Sequence, residues 1–144
     1  MSTKMAELAK TGDIAGISDM IPFAKLLGVE VIDDTDEAGG LVTVMRYRDT
    51  NVGNPRIPAL HGGSVGALLE HAAILHLIAA LGGESLPRII NLSTDYLRPA
   101  LCKDTFARGT TVRLGRRVAN VRVEAWQDDP ANPVAAAHAH FLTK

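Results

Sequence analysis

The chain has 144 residues, 47% of them hydrophobic and 22% charged, with a formal net charge of −1. That is the length and composition of one globular domain, able to bury roughly two-thirds of the surface its unfolded chain exposes. The near-neutral charge argues against nucleic acid as a partner of the whole molecule, and the single cysteine, Cys102, excludes an internal disulfide.

Residues 1–20 read as an N-terminal arm or weak helix, and 21–144 as a single domain. The first residues show no charged segment followed by an apolar run, so no signal peptide is expected. With a lone cysteine, this suggests a cytoplasmic protein. Ser18-Asp19 before Pro22 is a helix-start signal for the apolar face Phe23, Leu26 and Leu27, which Gly28 closes. Residues 29–33 read as a strand, the acidic, glycine-rich 34–40 as a turn, and 41–48 as a strand pairing back in a hairpin. Residues 49–60, with Asn51, Gly53, Asn54, Pro55 and Pro58, read as an irregular loop.

His61-Gly62-Gly63-Ser64 precedes a helix expected over 65–81, stopped by Gly82-Gly83. The longest apolar stretch, near 72–83, contains His76 and falls short of the ~20 residues that span a bilayer, so no membrane is expected. Four strands follow, at 89–98, 105–114, 117–127 and 134–142. In the third, Ala119, Val121, Val123 and Ala125 make one apolar face. Short turns between consecutive strands mean antiparallel pairing. The whole is an α+β chain with one sheet and one dominant helix.

That helix is apolar nearly all round and should be buried. A carboxylate there is costly unless paired or used, which makes Glu70 the most informative residue. It is either a buried ion pair, with His71 or an arginine, or a functional group. Three, four and seven residues before it lie Ala67, Gly66 and Gly63, all small. The strip lets either a neighbouring strand or a ligand come close. At the helix start, free N–H groups and the helix dipole favour a developing negative charge such as a thioester oxyanion. Gly62 and Glu70 are eight residues apart, about 12 Å along a helix. One reacting carbon cannot touch both in one chain, so joint action implies a two-fold dimer.

In order and spacing, these residues resemble the PaaI-like branch of hot-dog-fold acyl-CoA thioesterases. The resemblance covers about 22–141 and rests on four segments: Pro22-Phe23-Ala24-Lys25-Leu26-Leu27-Gly28-Val29-Glu30-Val31; His61-Gly62-Gly63 with an acid nine residues after the histidine; Tyr96-Leu97-Arg98-Pro99-Ala100; and Gly115-Arg116-Arg117-Val118-Ala119. It implies a hot-dog fold, a long central helix wrapped by one antiparallel sheet, in a homodimer or dimer of dimers. It implies that Gly62 donates its N–H to the thioester carbonyl, beside Gly63, and that Glu70 is nucleophile or general base. His61 is expected to shape the loop. The family usually places Asn or Gln five or six residues before that histidine; here Asn54 stands seven before, with Asn51 as fallback.

Between 98 and 122 lie Arg98, Lys103, Arg108, Arg113, Arg116, Arg117 and Arg122, opposed only by Asp104. Arginine suits the phosphates of CoA. Arg98, Arg116 and Arg117 are the candidates, Arg116 in the turn where family members hold a CoA-contacting base. The alternative is a set of solvated strand faces. The substrate expected is a small-molecule acyl-CoA, with no cofactor and no metal. Two other functions stay open: a hot-dog hydratase or dehydratase, and a non-catalytic acyl-CoA-binding protein.

Overall fold

The computed structural model describes residues 3–32 and 40–144. The N-terminal stretch is neither loose nor a single helix. It forms α1 (Thr3–Thr11) and α2 (Ile14–Asp19), the latter capped by Asp13, whose carboxylate accepts the Gly16 N–H at 2.8 Å. Ser18 and Asp19 end α2 instead of starting the next helix. That helix, α3 (Pro22–Leu27), opens with proline, whose fixed φ suits the first helical turn. It closes on Gly28 at φ 77°, a left-handed conformation in which a side chain would be strained. The Arg48 guanidinium donates to the carbonyls of Lys25 and Leu26 at its end, 2.9 Å each.

Strands β1 (Val29–Ile32) and β2 (Val42–Met45) pair antiparallel as expected. The turn expected at 34–40 lies outside the described residues except for Gly40. The expected loop at 49–60 carries some regular structure. A 3-10 turn at Asp49–Asn51 leads into β3 (Val52–Asn54), which pairs with β4 (Ala59–Leu60). Next come α4 (Gly62–Ala80), β5 (Arg88–Tyr96), β6 (Thr105–Leu114), β7 (Val118–Trp126) and β8 (Ala135–Leu142).

Six strands form one sheet in the order β1-β2-β6-β7-β8-β5, every neighbour antiparallel. Helix α4 lies on one face, mainly against β6 and β7. Alternation decides which residues it meets: Ala119, Val121, Val123 and Ala125 of β7, and Ala135, Ala137, Ala139 and Phe141 of β8, are buried there with Leu68, Leu69, Ala72, Ala73 and Leu77 of the helix. This is the hot-dog arrangement. A smaller core joins Ala9, Ile14 and Ile17 to Leu75 and Ile78, so α1 and α2 cover the far end of α4. Burying a side chain such as Ile17, which has no exposed surface, is worth about 1.5–3 kcal/mol.

By length and composition α4 passes as a membrane span, with a mean hydropathy of 1.4 over 18 residues, contrary to the shorter stretch expected from sequence. In the fold it is the core helix. It is not buried all round, however: Gly63 is exposed, and Gly66, Ala67 and Glu70 are partly so.

Candidate functional site

The site is built around the start of α4. His61 precedes the first turn with extended backbone, and its Nδ1 accepts the Gly63 N–H at 2.8 Å. In the neutral ring the proton therefore sits on Nε2. Its carbonyl receives the N–H of Ser64 at 3.0 Å and of Val65 at 3.3 Å, and its own N–H is tied to the Asn51 carbonyl at 2.8 Å. The imidazole thus caps the helix, a structural use that fits the loop-shaping role expected of it. These bonds also distinguish the two glycines. The Gly63 N–H is taken, whereas the Gly62 N–H has no acceptor among the described residues. It is the unclaimed donor at a helix start, where partial positive charge collects.

Gly62 lines a cleft of about 550 Å³ between the 53–60 loop, the start of α4 and the end of β5. Asn54, His61 and Arg98 line it too. Leu60, Val65, Leu97 and Val134 make much of the wall apolar. The cleft can seat an apolar acyl group beside the free Gly62 N–H, with a guanidinium at hand for an anionic tail. Asn54 is partly committed: its Oδ1 accepts the Arg56 N–H at 3.0 Å, which leaves the amide NH₂ for a ligand. Asn51 is buried and donates its Nδ2 to the Leu27 carbonyl at 3.0 Å, so the fallback asparagine is a tether between the loop and α3 and lies outside the cleft lining.

Glu70 is not in the cleft lining. It sits two turns further along α4, half-buried on the helix's open face, with no hydrogen bond or ion pair among the described residues. Neither partner suggested for a buried pair is used. The His71 Nε2 is 2.9 Å from the Ser18 hydroxyl, and burial lowers the histidine's pKa below its ordinary value. At Gly66 the small-residue strip has a structural occupant, Tyr96, which also reaches Gly62. A Cβ at Gly62 would meet the Tyr96 ring at 3.3 Å, and one at Gly66 would meet the Tyr96 hydroxyl at 3.3 Å. That hydroxyl donates to the Gly62 carbonyl at 2.8 Å. Tyr96 stood out in the sequence only as part of a motif. Two glycines four residues apart on one helix face were the available signal of a bulky neighbour.

The basic segment is not one surface. Lys103 is 2.7 Å from Asp128, Arg122 is 2.8 Å from Glu124, and Arg108 lies over the Trp126 ring at 5.3 Å. Arg98 is at the cleft, while Arg116 and Arg117 occupy the β6–β7 turn at the other end of the sheet. There both line a hollow with Lys144, and Arg117 also lines one with Arg113, Asn120 and His140. Among the described residues no cluster of His, Cys, Asp or Glu could hold a metal ion.

Residues 58–134 match the thioesterase superfamily, more than half of the chain. A structure from Chromobacterium violaceum is 38% identical, with 99% of this chain and 98% of that one covered and a TM-score of 0.77. A phenylacetic acid degradation-related protein from Ralstonia eutropha is 29% identical over 94% of this chain and 99% of its own, with a TM-score of 0.77. A mutant of phenylacetic acid degradation protein PaaI from Thermus thermophilus shares the fold at 24% identity and a TM-score of 0.69, over 86% of this chain and all of its own. Comparison with curated proteins gave no match.

Proposed function

Because the chain belongs to the thioesterase superfamily, its reaction is the hydrolysis of a thioester, and we propose that the thioester is an acyl-CoA, cleaved to the free acid and CoA in a site completed by two copies of the chain. One observation carries this reading. Gly62 offers an unclaimed N–H to the cleft, while the unpartnered Glu70 stands outside it on the same helix.

Strand β5 supports the two-chain site. It is the last strand of the sheet, nine residues long, and its side chains are exposed at seven of those positions. A long, uncovered edge is a template for another strand. Antiparallel pairing of β5 with a second β5 about a two-fold axis reverses one α4 against the other. The start of one helix then lies toward the middle of its partner, bringing Gly62 and the partner's Glu70 to one thioester. The same reversal carries the β6–β7 turn, with Arg116 and Arg117, to the end of the partner's sheet where Gly62 opens. Those arginines then serve the CoA phosphates of the partner's site, alongside that site's own Arg98.

In this site the thioester carbonyl oxygen accepts the Gly62 N–H, and Asn54 orients the carbonyl or the water. The Glu70 carboxylate takes a proton from water as the water oxygen bonds to the carbonyl carbon, or attacks that carbon itself and is released by water in a second step. The C–S bond breaks, and the thiolate leaves to be protonated as CoA. We place this reaction in the cytoplasm, where the half-buried Cys102 stays reduced.

A panel of acyl-CoA thioesters assayed for free thiol tests this, with Glu70→Gln beside the natural chain. Hydrolysis of at least one member, lost in the variant, is expected. Binding without turnover in the natural chain would make the protein an acyl-CoA-binding module instead.

A further inference from the structure

We propose that Tyr96 is a positioning residue, which sets the oxyanion donor by clamping the peptide that follows it. The peptide group joining Gly62 to Gly63 is held at both ends. Its carbonyl oxygen, on Gly62, accepts the Tyr96 hydroxyl at 2.8 Å. Its N–H, on Gly63, donates to His61 Nδ1 at 2.8 Å. A peptide plane gripped on opposite sides cannot rotate about its flanking bonds without breaking one hydrogen bond. Gly62 is the residue that most needs such a grip, because glycine alone leaves φ and ψ free.

The orientation matters for chemistry. The Gly62 N–H belongs to the preceding peptide, and the ψ angle of Gly62 is fixed only if the following peptide is fixed. An N–H aimed at a developing oxyanion is effective when it is already in place, since reorientation during reaction adds to the barrier. The Tyr96 ring adds a steric stop, standing within 3.3 Å of a Cβ built on Gly62. Side chain and helix thus come from different elements, β5 and α4, and meet at the cleft.

The inference rests on the reading of Gly62 as the oxyanion donor, and two measurements keep the two apart. Tyr96→Phe retains the ring and removes only the hydroxyl. Amide hydrogen exchange should be faster at Gly63 in this variant, because the Gly62 carbonyl then keeps only its helical bond from the Gly66 N–H. This readout involves no substrate. In steady-state assays kcat should fall about tenfold, the upper range for one neutral hydrogen bond, with KM changed less than about twofold, because the lost contact acts in the transition state. A merely structural tyrosine would lower thermal stability and leave kcat of the folded fraction intact. Unchanged Gly63 exchange would overturn the clamp whatever the activity. Faster exchange with unchanged kcat, in a protein whose Glu70→Gln variant is inactive, would overturn the positioning role. If the natural chain hydrolyses no thioester, the proposed function fails and the exchange measurement alone decides whether Tyr96 clamps the peptide.

Discussion

Ser18 and His71 meet across the interface between α2 and α4, hydroxyl to Nε2 at 2.9 Å. The contact fastens the N-terminal helices to the core helix beside the open face that carries Glu70. A second histidine of α4, His76, sits 2.7 Å from the Thr111 hydroxyl on β6. Burial lowers the pKa of both from an ordinary 6.5, because a charged ring there loses its water.

Acid sensitivity follows from these two side chains. Below about pH 6.5 the unfolded chain binds protons that the folded chain refuses, so stability is complete above that pH and falls as the pH drops toward the depressed folded values. The denaturant midpoint should decline from pH 7.5 to 5, before most carboxylates titrate. His76→Gln should flatten the decline. A midpoint that does not fall across this window would contradict the burial of both rings.

The free edge of β5 predicts the assembly. Ile90 falls at a register shift against β8, between Ile89 and Asn91, and is 51% exposed. Lysine at such a position blocks strand addition while leaving the domain's own core intact. Light scattering should find the natural chain as a dimer or tetramer at micromolar concentration, and Ile90→Lys as a folded monomer without hydrolytic activity. A monomer with full activity would rule out the shared site.

Substrate charge is tested at the β6–β7 turn. Arg116 is exposed and far from the reacting carbon, so removing it should weaken binding and leave chemistry nearly unchanged. In Arg116→Ala the KM for acyl-CoA should rise about tenfold, as expected for one charge-assisted hydrogen bond. KM for a short thioester lacking the nucleotide should hardly move. The difference should shrink as salt rises, since exposed charges are screened over about 8–10 Å at moderate ionic strength. Equal damage to both substrates would assign Arg116 to the fold or the interface.

The proposed reaction assigns the base or nucleophile to Glu70, and the setting of that side chain makes the test clean. It has no partner among the described residues, so Glu70→Gln breaks no bond to any of them. The variant should keep its melting temperature and assembly state while kcat falls by about a hundredfold or more, as for loss of a general base. Turnover at the natural rate would leave Glu70 with no role in hydrolysis.

The sequence made the sheet and the core helix readable because both have clear periods. Ala119, Val121, Val123 and Ala125 alternate, and all four are buried on the helix side. The N-terminal helices were less legible: α2 has six residues, too few to show a period, and it is held by contacts with Leu75 and Ile78 far along the chain. Strands β3 and β4 are three and two residues long and form a sheet of their own, tied to the 98–101 segment only by a single bridge from Ala59 to Leu101, so nothing in the proline-rich loop announced them. At the site, His61 and Gly62 were legible as a helix start. Tyr96 was not, because its contact with Gly62 joins residues 34 apart. The open setting of Glu70 was hidden for a related reason. An all-apolar helix implies cover on every side, whereas one chain covers only part of α4. The arginines between 98 and 122 looked like one patch, but an antiparallel hairpin sends neighbours in sequence to opposite ends of a sheet.

The order of elements has a consequence for how the protein is made. Helix α4, apolar enough to pass as a membrane span, precedes in the chain every strand that covers most of it. During synthesis it leaves the ribosome before β6, β7 and β8 exist, with only the N-terminal helices and the β1–β2 pair, among the described residues, able to shield part of it. A nascent or truncated chain ending near residue 90 therefore displays its longest apolar surface. Such a chain is a natural client for a holding chaperone and prone to aggregate when none is at hand.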